Sequence, residues 1–246
     1  MLRPTVPLAL LVVSITVAAV VALLRSDLQA DTVDLALVGG SALVSPRALA
    51  AIRGACAAIG LLTLSCAVLD PVGVRLSVTY LPGSSLVAKP IHVSGLGRLS
   101  TFTVQSWALL TLYFACAAAC SASLAAGAAA APPRGALVAL WFVYEASLAG
   151  SALVTTVTTF VLIPKLIEEG KADAIDIFFG WKAACMHNLN LLFMATEACL
   201  NNMPVLAAHL PVATLWGLWY VFFSWAWLRY GAYNIVYYFF LDPVSL

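Results

Sequence analysis

The sequence predicts an all-α fold, a polytopic transmembrane bundle of about six spanning helices in one domain over residues 1–246, and three observations carry that expectation. Apolar residues make up 63% of the chain and charged residues only 9%, with a mean hydropathy of +1.00. A soluble domain carries about 25% charged residues, so this chain cannot wet its whole surface. The apolar residues also gather into runs close to the roughly 20 residues that a helix needs to cross a bilayer. Between the runs stand proline, glycine and most of the charges, the residues that punctuate helices.

The first run, 6–24, holds no charge and is flanked by Arg3 and Arg25. A cleaved leader would have a shorter apolar core and a small-residue cleavage site, of which Leu28-Gln29-Ala30 is only a faint suggestion, so the run reads as a retained helix. Asp27, Asp31 and Asp34 then mark a polar connection. The second run, 48–69, carries Arg53 near its start and closes at Asp70-Pro71. Residues 70–99 form a long basic connection with Arg75, Lys89 and Arg98. The third run, 100–126, is rich in alanine in its second half, as close helix contacts in membranes require. The fourth, 135–163, holds Glu145 and the threonines 155, 156, 158 and 159, and Pro164-Lys165 is expected to end it. A charged, solvated loop follows, with Glu168, Glu169, Lys171, Asp173 and Asp176. The fifth run, 178–200, and the sixth, 209–228 with Trp216, Trp219, Trp225 and Trp227, complete the set.

Chemistry concentrates in the fifth run. At about 100° per residue, His187, Asn190, Met194, Glu197 and Asn201 share one stripe. Ionisable groups within a span face protein or a water-filled cavity, and such a stripe serves equally well as interhelical glue. Arg53, Glu145 and Glu197 all fall toward the side opposite the termini. A buried carboxylate must be neutralised or paired, so Arg53 is expected beside Glu145 or Glu197. His92 and His209, near helix ends, read as solvated. The six cysteines form no CxxC pair and read as buried small hydrophobes. No metal, nucleotide or haem motif stands out, so no cofactor is expected. The net charge of +1 and the lack of a basic cluster exclude nucleic acid as a partner.

Three fragments carry a resemblance. RLSTFTVQSWALLTLYF (98–114) resembles the "LTF" segment of the androgen-induced and rolling-stone-like polytopic membrane proteins. Pro164-Lys165-Leu166, Trp181 and Met186-His187 resemble that family's "YPK … W … MH" region, and 220–242 its late tryptophan-rich helix and "FLD" element. Some members are intramembrane threonine hydrolases that cleave fatty-acid esters of hydroxy fatty acids. The resemblance implies a threonine nucleophile at Thr101, with Thr103 its neighbour, and a histidine base at His187. Gln105, Asn190 and Glu197 are then the substrate-binding candidates. The chain departs from the family at Thr158, Thr159 and Phe160, where relatives carry charges, and at Ile163, where they carry tyrosine.

Two hypotheses follow. One is a lipid-ester hydrolase whose partners are membrane lipids; the other is a non-catalytic accessory subunit of a larger membrane complex. Ser100-Thr101 also reads as a plain helix cap. No inverted repeat or broken helix pair favours a transporter. The basic excess places the termini on the cytosolic or matrix side, in the endoplasmic reticulum or another organelle membrane, the mitochondrial inner membrane being the alternative. Thr101 sits at the start of its helix and His187 about nine residues into the fifth run, so the two meet only if the third helix begins below the interface or the fifth begins late, near Lys182.

Overall fold

The computed structural model describes residues 5–25, 32–78, 80, 84, 86, 89–128, 131–170, 172–231, 235–238 and 241–242. Arg3, Asp27, Leu28-Gln29-Ala30, Asp31 and Lys171 lie outside the described residues. Helices dominate: α1 (Thr5–Arg25), α2 (Leu35–Gly39), α3 (Pro46–Val68), α4 (Phe102–Ala125), α5 (Arg134–Val157), α6 (Ile163–Glu168), α7 (Ala172–Phe179), α8 (Trp181–Ala184), α9 (Asn190–Leu200) and α10 (Leu210–Tyr230).

Helix starts follow local chemistry. Ser45 accepts from the Ala48 N–H and Pro46 opens the first turn of α3, a pairing that satisfies one orphan donor and removes another. Asp34 caps α2 in the same way. The α3–α4 contact is close because Gly60 has no side chain; a Cβ there would lie 2.3 Å from Thr111 Oγ1. The Trp107 indole N–H donates to the Gly60 carbonyl at 3.0 Å, so the small residue admits both the neighbouring helix and its hydrogen bond.

Three helices, Pro46–Val68, Phe102–Ala125 and the continuous Arg134–Glu168, are long and apolar enough to cross a membrane. The other expected spans fall short of that description. The apolar stretch of α1 covers Ala9–Arg25, α10 spends four of its positions on tryptophan, and Trp181–Leu200 is interrupted by Lys182, His187, Asn190 and Glu197.

Two boundaries differ from expectation for one reason. Pro164 does not stop the fourth helix, because Thr158–Leu162 is a π turn in which the Ile163 N–H reaches back to the Thr158 carbonyl. The wider turn already rearranges the ladder that a proline would break. The fifth run is not one helix either. It is divided at Gly180, and Cys185–Leu189 forms a second π turn, with the Asn190 N–H donating to the Cys185 carbonyl. Within 70–99, expected as an irregular connection, Val74–Val78 and Lys89–Val93 pair as an antiparallel hairpin, β1 and β2, with Val74 opposite Val93.

α3 packs on α4, α4 on α5, and α5 on both α9 and α10, while α1 lies along α10. The core is aromatic and aliphatic: Trp107, Leu110, Tyr113, Phe114, Trp141, Tyr144 and Met194 are buried together. The connections sort to two ends. The hairpin, Gly95–Ser100, α6–α8 and the tail residues 235–238 and 241–242 meet at one, where Tyr80 donates to the Val236 carbonyl and the Ser100 and Tyr237 hydroxyls are 2.6 Å apart. α2 and residues 201–209 close the other.

Candidate functional site

The two ends of the bundle hold different chemistry. At the α2 end Arg53 is fully buried, and its guanidinium meets Glu197 at 2.5 Å (Nη2 to Oε1) and 3.0 Å (Nε to Oε1). Its Nη1 donates to the Val38 carbonyl at 2.9 Å and to Ser121 Oγ at 2.7 Å. Glu197 Oε1 also accepts from the Tyr113 hydroxyl at 2.5 Å and from Asn201 Nδ2 at 3.3 Å. The expected pairing of Arg53 is therefore made with Glu197. Glu145 goes elsewhere: its Oε2 lies 2.8 Å from His209 Nδ1, and its Oε1 accepts from the Leu206 N–H at 3.0 Å. His209 is not solvated as expected but 1% exposed, between the rings of Trp141 and Phe142. The reason is the partner: a carboxylate on the neighbouring helix lets an imidazole leave water.

At the opposite end a cavity of about 310 Å³ opens between the hairpin, the start of α4, and α6–α8. Thr101, Thr103 and His187 all lie on its wall, with Val74, Leu162 and Phe178 supplying apolar surface. Of the two conditions for bringing these side chains to one level, the structure shows the late helix start: the chain breaks at Gly180 and α8 begins at Trp181.

His187 is oriented from behind. Its carbonyl, freed by the π turn, accepts from Thr155 Oγ1 at 2.6 Å, and the same hydroxyl is 3.1 Å from Asn190 Oδ1. The ring lies 5.4 Å from that of Phe178, tilted by 44°, and Nδ1 is buried without a hydrogen-bond partner among the described residues. Thr101 caps α4. Its hydroxyl accepts from the Val104 N–H at 3.4 Å and lies 3.5 Å from the Arg98 carbonyl, both at the long limit of hydrogen bonding. No hydrogen bond joins Thr101 to His187 among the described residues. Tyr238, from the tail, is hydrogen-bonded to the Thr103 side chain and to the N–H groups of Phe102 and Thr103, and burial raises its pKa.

The remaining candidates scatter. Gln105 donates to the Leu99 carbonyl at 3.0 Å and accepts from the Trp219 indole at 3.3 Å. Asn190 is buried against α5, one turn behind the cavity wall. Glu197 belongs to the Arg53 cluster at the other end, because α9 carries it away from His187 along the helix axis. All six cysteines are free, and Cys116 and Cys199 are exposed rather than buried. Among the described residues no three His, Cys, Asp or Glu converge as a metal site would require. Thr155 and Tyr238 were not singled out from the sequence. The threonine-rich run held the signal for the first; nothing local signalled the second.

Comparison with protein-family models, with curated proteins and with solved structures finds no match to this chain.

Proposed function

We propose that this protein is an integral membrane lipid-ester hydrolase of the threonine–histidine type, related to the androgen-induced and rolling-stone-like proteins that its motifs resemble. One observation carries the reading: Thr101 and His187, far apart in sequence, share the wall of one largely apolar cavity. A threonine hydroxyl is a weak nucleophile until a base within about 2.6–3.2 Å takes its proton. The long bonds that hold Thr101 Oγ1 at the cap are cheap to exchange for one to His187. The imidazole accepts the proton as oxygen attacks the ester carbonyl, then returns it to the departing alcohol. An acyl-threonine remains; water, deprotonated by His187, attacks it, releases the acid and restores the hydroxyl. Tyr238, beside Thr103 on the same wall, is the candidate donor to the oxyanion.

In this reading the chain crosses the membrane six times. The cavity end faces the cytosol or matrix, because Arg75, Lys89, Arg98, Lys165, Lys182 and Arg229 gather there. An organelle membrane such as the endoplasmic reticulum is the setting and lipid the substrate.

A fluorophosphonate probe tests the nucleophile. Wild-type protein is labelled, Thr101→Ala is not, and His187→Ala labels at least tenfold more slowly; equal labelling of Thr101→Ala removes the assignment. The engagement of Thr101 as the α4 cap favours a second reading, a non-catalytic subunit of a larger assembly. A native mass in mild detergent far above that of a few copies of this chain selects it.

A further inference from the structure

We propose that the cavity beside His187 contains a binding site for an anionic head group, with Arg98 as its central cation, and that its ligand is a single-chain lipid ending in a carboxylate or phosphate. The proposal rests on the reading of this cavity as a lipid site and not on the chemistry of Thr101. Three cations lie on the wall, Arg98, Lys165 and Lys182. Lys182 is paired with Asp70 at the end of α3, and Lys165 lies 3.9 Å from Glu169, which shares the wall. Arg98 differs. Its Nη1 is buried with no hydrogen-bond partner among the described residues. Burial lowers its pKa, opposed by Asp70 and Tyr237.

A guanidinium does not escape that situation by losing its proton, since arginine stays charged in proteins. Unlike the two lysines, Arg98 has no carboxylate at ion-pair distance among the described residues, so an anion entering the cavity meets a charge that the chain has not already neutralised. The planar fork of donors suits the two oxygens of a carboxylate or phosphate. Beyond Arg98 the wall turns apolar, through Val74, Leu76, Leu162 and Phe178, and a cavity of about 310 Å³ falls within the range that encloses a small ligand. One cation left without an ion pair, beside a hydrocarbon surface, suits one acidic head and one chain.

The test uses the full chain in neutral detergent, stripped of bound lipid, with melting followed by tryptophan fluorescence. Palmitate, palmitoyl lysophosphatidate, hexadecanol and inorganic phosphate are titrated separately. The expected result is stabilisation by at least one acidic lipid at concentrations tenfold or more below those at which hexadecanol acts, and none by phosphate alone. Whichever acid acts at the lower concentration names the head group. Arg98→Gln brings the acids to the level of hexadecanol, and Arg98→Lys retains part of the preference should the first variant not fold. Hexadecanol matching both acids on wild-type protein overturns the proposal. So does phosphate alone matching the lipids, or a preference unchanged in Arg98→Gln. Thr101→Ala keeps the preference for acid, so loss of turnover and loss of head-group binding are separate results.

Discussion

The same helices end in opposite ways. At the α2 end the three buried charges are answered from within the chain: Arg53 by Glu197, a backbone carbonyl and Ser121; Glu197 by Tyr113 and Asn201; Glu145 by His209 and a backbone amide. At the hairpin end Arg98 Nη1 and His187 Nδ1 are buried without hydrogen-bond partners among the described residues, and both residues line the open cavity. A saturated buried network rigidifies the elements it joins and leaves nothing for a ligand to bind. An unsaturated one is a place where a ligand completes the protein. On the proposed reading, the first end holds the bundle together and the second is where a ligand binds.

Breaking the closed end is expected to have the largest effect. Glu197→Ala or Arg53→Ala leaves a buried charge alone and costs about 3–5 kcal/mol, read as a lowered denaturation midpoint in detergent. The double variant costs less than the sum of the two, because the survivors are then neutral. An additive double variant would mean that the two groups do not interact. Glu145→Ala takes the carboxylate from His209 and from the Leu206 N–H and costs about 1–3 kcal/mol, measured the same way.

The next effect sharpens the contrast. Thr155→Val removes the hydroxyl bonded to the His187 carbonyl and costs about 1 kcal/mol, but probe labelling at Thr101 is expected to fall several-fold, since the turn that carries His187 is loosened. A stability change with unaltered labelling would make Thr155 part of the scaffold only. The smallest effect concerns pH. Lys182 holds the Asp70 carboxylate below its usual range, helped by the Val72 N–H. The folded pKa is the lower one, so the pair stabilises above the unfolded value of about 3.9 and its contribution fades as pH falls through the folded value. Asp70→Asn flattens that part of the acid denaturation curve, followed by tryptophan fluorescence, and is nearly silent at pH 7.

The closed end was largely legible in the sequence. Arg53 and Glu197 each break an apolar run, and counting residues along alternating helices puts both at one depth, so their pairing follows from the cost of burying charge. His209 was misread because its partner is 64 positions away on another helix, where no periodicity reports it. The open end was less legible. The π turns at Thr158–Leu162 and Cys185–Leu189 alter the phase of their helices by one residue, which shifts His187 relative to Asn190 and lets Pro164 sit inside a helix. Hydrogen bonds between helices support those turns, Thr155 to the His187 carbonyl above all, and such support is invisible in one strand of sequence. The break at Gly180 was foreseen only as a condition for Thr101 and His187 to meet.

Turnover of a fluorogenic long-chain ester by purified protein, wild type against Thr101→Ser, Thr101→Ala and His187→Ala, tests the division of labour most directly. The account predicts hydrolysis by the wild type, partial activity in Thr101→Ser, and a loss of at least a hundredfold in the other two, with melting temperatures little changed. Equal turnover by Thr101→Ala and wild type would contradict it.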